Sequence, residues 1–310
     1  MKLAVTHNSC QVAIGRSVRD SCAVRVLVTG GTGFIGGQLT MELERRGHAV
    51  VAVGRAGGDL AERSAAEQLI EAHDPELVVH LAARVGRIAG ESDPLETLRQ
   101  NAGATLLVAR ACSGAGVRLA YGSTSEVYGN SGERPASEDG PIAALPENVY
   151  GLSKRWGEEA ALLRCPDAIL LRFSGPYGPG TVPSHGRGAI QTMLDQALRQ
   201  ERIPAFRGVL RSWCWIGDAA RGAAIVLERG EAGAWNIGRD DDHRSMAELA
   251  RLACQIADAP QQLLEEIDPP PGLAADHRIS AAKLERLGWR PEVELEEGMR
   301  RTFEWLENSR

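Results

Sequence analysis

Apolar residues recur along the first half of the chain in short blocks of strand length, separated by longer amphipathic stretches. Val24-Arg25-Val26-Leu27-Val28 is the first block, and His48 to Val53, Leu77 to Leu81, Val117 to Tyr121 and Ala168 to Phe173 repeat it. Between them the pattern predicts helices over Phe34–Arg46, Glu62–His73, Pro94–Gly114 and Asn148–Arg164. In the third of these, Leu95, Leu98, Ala102 and Leu106 are expected on one apolar face. Strands alternating with helices imply an α/β fold: a Rossmann-type, doubly wound parallel sheet over Val24 to about Phe173. After Ser174 the texture changes. Gly and Pro crowd residues 175–188, short elements follow irregularly, and an amphipathic helix is expected at Leu295–Asn308. Residues 174–310 therefore read as mainly a smaller C-terminal substrate-binding lobe, interwoven with the last strands of the first domain.

Composition narrows the class. The 310 residues are 43% hydrophobic and 25% charged, enough to bury a core without metal or disulfide staples. A net charge of −6 gives no general attraction to phosphate, so neither nucleic acid nor an acidic membrane is expected as partner. Six cysteines stand apart, with no C-x-x-C pair and no histidine cluster at zinc spacing. Reduced thiols, a cytoplasmic location and no metal follow. No apolar run approaches the length of a membrane span. Met1 to Ala23 mixes polar and charged residues with short apolar pairs, lacks a secretory signal's apolar stretch, and reads as a disordered extension or an over-called start.

Gly30, Gly33 and Gly36 follow the first strand and open the first helix. That spacing suits a tight turn whose backbone approaches a pyrophosphate, with the anion on the helix N-terminus. An acid ending the second strand would suit the ribose hydroxyls of NAD; here the strand ends Val53-Gly54-Arg55, and a cation suits the 2′-phosphate of NADP. A solvent-facing Arg55 is the plainer alternative. Asp59 and Leu60 are placed to close over the adenine.

Tyr150 and Lys154 are four apart, on one face of a predicted helix. An ammonium nearby lowers a phenol's pKa and fits it for acid–base work near neutrality. Gly122-Ser123-Thr124-Ser125-Glu126-Val127-Tyr128-Gly129 follows another strand, at the sheet edge where sites form. A polar capping loop would account for any one of these residues. It does not account for all of them together with Tyr150 and Lys154.

These stretches resemble the extended short-chain dehydrogenase/reductase family, in its nucleotide-sugar epimerase/dehydratase branch. The likeness runs from about Val24 to the C-terminus, through Thr29–Gly36, His80-Leu81-Ala82-Ala83, Asn101, Ser123–Gly129, Tyr150–Lys154, Tyr177-Gly178-Pro179-Gly180, Leu287-Gly288-Trp289 and Leu295-Glu296-Glu297-Gly298. The resemblance implies that Gly30, Gly33, Phe34, Ile35, Gly36, Leu81, Ala82 and Ala83 line NAD or NADP. It implies that Tyr150 is the acid/base at the sugar C4 hydroxyl, that Thr124 shares that hydrogen bond, and that Lys154 holds the nicotinamide ribose. Asn101 would anchor a structural water behind the site. Ser125 would touch the substrate, a nucleotide-diphosphate sugar. Arg211 would grip its diphosphate, a role that suits a guanidinium fork. A homodimer through the helices at Pro94–Gly114 and Asn148–Arg164 is also implied.

Three reactions compete. In the first, hydride leaves C4 and later returns, with epimerisation, 4,6-dehydration or decarboxylation in between. Thr124-Ser125-Glu126 favours it, since a carboxylate can act as base at C5 once C4 is a ketone; an exposed loop acid is the alternative for Glu126. In the second, a 4-keto-sugar reductase consumes NADPH, which Arg55, the short connection from Val53 to Leu77, and Ala83-Arg84-Val85-Gly86-Arg87-Ile88 favour. In the third, the chain is a non-catalytic NAD(P)-binding sensor or scaffold, for which an intact Thr–Tyr–Lys set is superfluous. Two positions depart from the family. Gly175 stands where an asparagine often holds substrate, and Pro146-Glu147-Asn148-Val149 lacks the arginine that glucuronate decarboxylases often carry before the tyrosine. Trp213 and Trp215 are candidates for the nucleotide pocket or for the core, while His185, Arg187 and His243 read as surface loop.

Overall fold

The computed structural model describes residues 23–132, 134–143, 146–180, 188–271, 273 and 275–309. The extension expected over residues 1–23 lies outside them save for Ala23, as do His185 and Arg187.

Strands β1 (Arg25–Thr29), β2 (Ala49–Val53), β3 (Leu77–His80), β4 (Arg118–Thr124) and β5 (Ile169–Phe173) alternate with helices α1 (Phe34–Arg45), α2 (Ala65–His73), α3 (Arg87–Ser92), α4 (Pro94–Leu98), α5 (Ala104–Ala115) and α6 (Val149–Arg164). Then follow β6 (Pro176–Tyr177), α7 (Ala189–Leu198), β7 (Ile203–Phe206), β8 (Leu210–Ser212), β9 (Cys214–Trp215), α8 (Ile216–Arg229), β10 (Gly233–Ile237), β11 (His243–Ser245), α9 (Met246–Ile256), β12 (Leu264–Ile267), β13 (Asp276–His277), α10 (Ala282–Glu285) and α11 (Leu295–Asn308).

Six strands form one parallel sheet in the order β10-β5-β4-β3-β1-β2. Side chains alternate across it. Val26, Val28, Leu77, Val79, Ile169 and Leu171 pack with Leu39 and Leu43 of α1 and Ala223 and Val226 of α8. Leu27, Val78, Leu119, Tyr121 and Leu170 pack the opposite way, with Ile70 of α2, Val108 and Cys112 of α5 and Ala161 of α6. Both faces are covered, as a doubly wound sheet requires. The chain leaves β1 for β2 on one side, then crosses to β3 on the other, so the crevice at the carboxyl ends of β1 and β3 is the topological switch point. The sixth strand, β10, lies beyond Phe173 in sequence, so the sheet itself draws on the C-terminal part of the chain. That part has its own core, in which α7, α9 and α11 bring together Met193, Leu194, Leu249, Ala253, Met299 and Leu306.

Two expectations need correction. The helix expected over Pro94–Gly114 is α4, a π-helical turn at Arg99–Gly103, and α5. The extra residue in the turn rotates the register, so the expected apolar face does not form. Leu95 is 81% exposed and Leu106 36%, while Thr97, Asn101 and Thr105 are buried. Between Leu81 and Pro94 the short helix α3, absent from the sequence reading, follows an N-cap at Gly86, whose φ of 101° favours glycine.

Candidate active site

The turn after β1 is built by steric necessity. Gly30 has φ 71°, and a Cβ there would lie 2.6 Å from Ala82 N; at Gly36 a Cβ would lie 2.1 Å from Gly30 O. The Gly33 N-cap gives α1 no side-chain cap, so the first-turn N–H groups at Phe34, Ile35 and Gly36 have no capping side chain. A dinucleotide pyrophosphate fits such a cradle. Leu81, Ala82 and Ala83 follow β3, half-buried, with Leu81 and Ala82 against Gly30. Arg55 opens a 3-10 turn directly after Gly54, is exposed, and makes no ion pair among the described residues. Asp59 accepts from Ala61 N and pairs with Arg99 at 2.7 Å; that hydrogen bond, before any other cause, holds its carboxyl below the usual range. Leu60 is buried in the core with Ala66 and Ile70.

The catalytic candidates come from β4 and α6. Thr124 ends β4 and its Oγ1 accepts from Glu126 N at 3.3 Å, capping the 3-10 turn Ser125–Tyr128. Thr124, Ser125, Tyr150 and Lys154 are all buried. Asn148 caps α6, its Oδ1 accepting from Gly151 N at 2.8 Å. Its Nδ2 donates to Glu126 Oε2, also at 2.8 Å, and so ties the turn bearing Thr124 and Glu126 to the first turn of the helix bearing Tyr150. Burial pushes the Glu126 carboxyl up; the Asn148 bond and the charges of Arg211 and Arg87 work against it.

Lys154 lies one turn beyond Tyr150. Its Nζ sits 4.5 Å from the centroid of the Tyr121 ring, an arrangement that favours the cation. Burial nonetheless draws it down to about 7, with Glu158 opposing. On β3, His80 Nδ1 lies 2.7 Å from Thr29 Oγ1 and its ring is 5.9 Å from that of Tyr121. Burial first, then the Lys154 charge, lowers His80 to about 3, so it is neutral near pH 7.

Asn101 is buried in the π-helical turn. Its Oδ1 accepts from Arg84 N, and its Nδ2 donates to Arg84 O and to Ser153 Oγ at 2.8 Å. Ser153 in turn donates to Tyr150 O. Asn101 therefore joins the loop after β3 to α6 by direct bonds.

The C-terminal part contributes Arg211, whose charge acts on Glu126. Arg211 on β8 is held by Leu210 O and Ala275 O and is registered beside His277 of β13. Burial lowers its pKa and the Glu126 charge raises it. Gly175, where the family often has asparagine, has φ 52°, and a Cβ would lie 2.2 Å from Ser212 O; the close crossing onto β8 excludes a side chain. Trp213 is buried in the C-terminal core, and Trp215 packs edge-on against Tyr177. His243 Nε2 lies 3.1 Å from Asp276.

Sequence reasoning missed the tethering role of Asn148, although asparagine just before a helix is a readable N-cap signal. It also missed Gly90 of α3, where a Cβ would lie 3.0 Å from Tyr150 N, and Glu91, which accepts from Val149 N.

A sequence model of the NAD dependent epimerase/dehydratase family matches residues 26–238. The chain belongs to that family. The match spans the Gly30–Gly36 turn, the Thr124–Glu126 and Tyr150–Lys154 segments and β10. Among relatives, the chain is 39% identical over 218 residues to a dTDP-4-dehydrorhamnose reductase of Streptomyces griseus, covering 68% of this chain and 69% of that one. It is 28% identical over 311 residues to UDP-glucuronic acid decarboxylase 1 of Xenopus tropicalis, covering 91% and 72%. The crystal structure of the UDP-glucose 4-epimerase of Thermus thermophilus in complex with NAD superposes with a TM-score of 0.84 at 26% identity, covering 92% of this chain and 99% of that one. The family member described here is thus an NAD(P)-dependent enzyme of the nucleotide-sugar-modifying class, on the Rossmann-type sheet the sequence implies. Among the described residues, no helix is long and apolar enough to cross a membrane.

Proposed function

We propose that the protein removes hydride from C4 of a nucleotide-diphosphate sugar and returns it after a change made at the intermediate ketone. The observation that carries this reading is the placement of Glu126. An acid at the sheet edge, tied to the catalytic helix by Asn148, is what proton removal at C5 needs and what a simple ketone reduction does not.

Tyr150 takes the proton of the C4 hydroxyl and gives it back, Thr124 orients that hydroxyl, and the Lys154 cation favours the phenolate. Gly30 to Gly36, with Leu81 to Ala83, hold the dinucleotide, and Arg211 holds the diphosphate on the C-terminal side. When bound, NAD or NADP supplies the hydride acceptor and donor. Asn101 keeps Lys154 and Tyr150 at their depth by fixing Ser153.

A second reading, NADPH-dependent reduction of a 4-keto sugar, is favoured by the exposed Arg55 after β2 and by the likeness to the Streptomyces griseus reductase. Denaturing the purified protein and weighing the released nucleotide separates the two. Stoichiometric NAD supports internal redox, whereas an empty site that takes up NADPH from solution overturns it in favour of reduction.

A homodimer through α4, α5 and α6 is part of the proposal. Leu95, Trp156 and Leu163 are exposed there, an apolar surface that a second copy would cover. The described cysteines are unpaired and buried, which fits a reducing, cytoplasmic setting.

A further inference from the structure

The turn after β1 meets the end of β2 at two residues that have no side chain. Gly31 N donates to Val53 O at 3.1 Å, and a Cβ on Gly31 would lie 2.7 Å from Ala52 Cβ. Gly54 directly follows β2, and a Cβ there would collide with Thr32 Oγ1 and lie 3.1 Å from Thr32 Cγ2. The room that a side chain at Gly54 would need is thus taken by the side chain of Thr32.

That room has a chemical use in a doubly wound fold. A carboxylate at the end of the second strand accepts from the 2′-hydroxyl of the adenosine ribose of NAD, and the same charge repels the 2′-phosphate of NADP. Here the place holds a neutral hydroxyl, which can accept from a ribose hydroxyl or donate to a phosphate oxygen. Thr32 is exposed, and its hydroxyl makes no hydrogen bond among the described residues. Arg55, the residue after Gly54, is exposed as well and offers a cation that suits the phosphate. The first carboxylate beyond it, Asp59, is bonded to Arg99 at 2.7 Å and to Gln100 at 3.1 Å, so its charge is answered.

We infer that Thr32 sets the cofactor range of the protein: its hydroxyl meets the adenosine 2′ position in place of a strand-end acid, and with Arg55 it lets the crevice take NAD and NADP with similar affinity. The hydroxyl serves both dinucleotides, and Arg55 serves only the phosphorylated one. The inference rests on the assignment of the Gly30–Gly36 turn to a dinucleotide and not on the reaction at C4.

The test measures the Kd of NAD and of NADP by calorimetry on the full chain, freed of any retained nucleotide by charcoal treatment. In the wild type the two values should agree within about tenfold. Thr32→Ala should weaken both by about three- to tenfold, the share of one hydrogen bond, while Thr32→Ser keeps the hydroxyl and should bind both as the wild type does. Arg55→Ala should weaken NADP about tenfold and leave NAD as it was. Thr32→Ala/Gly54→Asp puts an acid into the room that Thr32 vacates; it should keep NAD and weaken NADP about a hundredfold or more, by like-charge repulsion. Unchanged Kd values in Thr32→Ala would overturn the inference, as would a wild-type preference for one dinucleotide beyond about tenfold. A wild type that binds neither dinucleotide would instead sink the assignment of the Gly30–Gly36 turn.

Discussion

The side-chain amide of Asn148 bonds Glu126 with its nitrogen and Gly151 N with its oxygen, each at 2.8 Å. One residue thereby fixes two things: where α6 starts, and where the carboxylate of the Thr124–Glu126 turn stands relative to Tyr150. The two segments lie more than twenty residues apart in sequence and on different elements. They meet through this amide and through the close approach of Gly151 to Glu126, where a Cβ would lie 3.4 Å from Glu126 O.

The two jobs of Asn148 can be separated. Asn148→Ala should cost about 1 kcal/mol of stability through the lost cap. Asn148→Ser restores a capping oxygen but has no N–H to offer Glu126. It should recover the melting temperature and not the turnover. If Asn148→Ser turns over like the wild type, the tether to Glu126 does not matter.

Glu126 acts at C5 only when ionised. Burial raises its pKa, so the acid limb for C5 exchange should lie above the range of an ordinary carboxylate. The Asn148 bond pulls the pKa back down, so in Asn148→Ser the limb moves further up in pH. Exchange of the C5 proton with deuterated solvent, followed by NMR, reads this directly. Glu126→Gln should stop the exchange at every pH; continued exchange would leave Glu126 without a role as base.

His80 gives the fold a pH dependence of calculable sign. Its pKa is about 3 in the folded chain, against 6.5 for an ordinary histidine. Above that ordinary value both states are neutral and no cost arises. Below it the unfolded chain takes up a proton that the folded chain refuses, so stability falls between roughly pH 6.5 and 3, by about 1.4 kcal/mol per unit from this group. In His80→Asn, denaturant unfolding across that window should show a slope shallower by that amount. An identical slope would mean that His80 is not held neutral.

The proposed dimer makes a simple prediction about mass. Leu95→Glu with Leu163→Glu places charges on the exposed apolar side chains of α4 and α6. Sedimentation should then report a monomer where the wild type is a dimer. A wild type that sediments as a monomer would remove the dimer from the account.

The first five strands were legible because their core-facing residues alternate or run without a break, whereas β10 and the short strands after residue 174 were not placed. Residues 24–28, 77–81 and 168–173 needed only a length and an apolar run to be placed. The terminal helix Leu295–Asn308 lies where its pattern put it. The π-helical turn at Arg99–Gly103 was not legible, since helix periodicity does not reveal one inserted residue. Its consequence is Asn101 turned inward towards Ser153. Helix α3 is too short for periodicity to register. Within the candidate site, Tyr150 and Lys154 were readable because their spacing is local, and Thr124 because it ends an apolar strand. The fit of Thr32 over Gly54 was not, because it joins the turn after β1 to the end of β2 by a side chain alone.

The central claim is that Tyr150 moves the C4 proton while hydride leaves that carbon. The most direct measurement is the rise in nicotinamide absorbance when a nucleotide-diphosphate hexose is mixed with the NAD-loaded protein in a single turnover. The account predicts that Tyr150→Phe binds the cofactor as the wild type does and slows that rise roughly a hundred- to ten-thousandfold, the usual share of a general acid–base group. A rise as fast in Tyr150→Phe as in the wild type would contradict it.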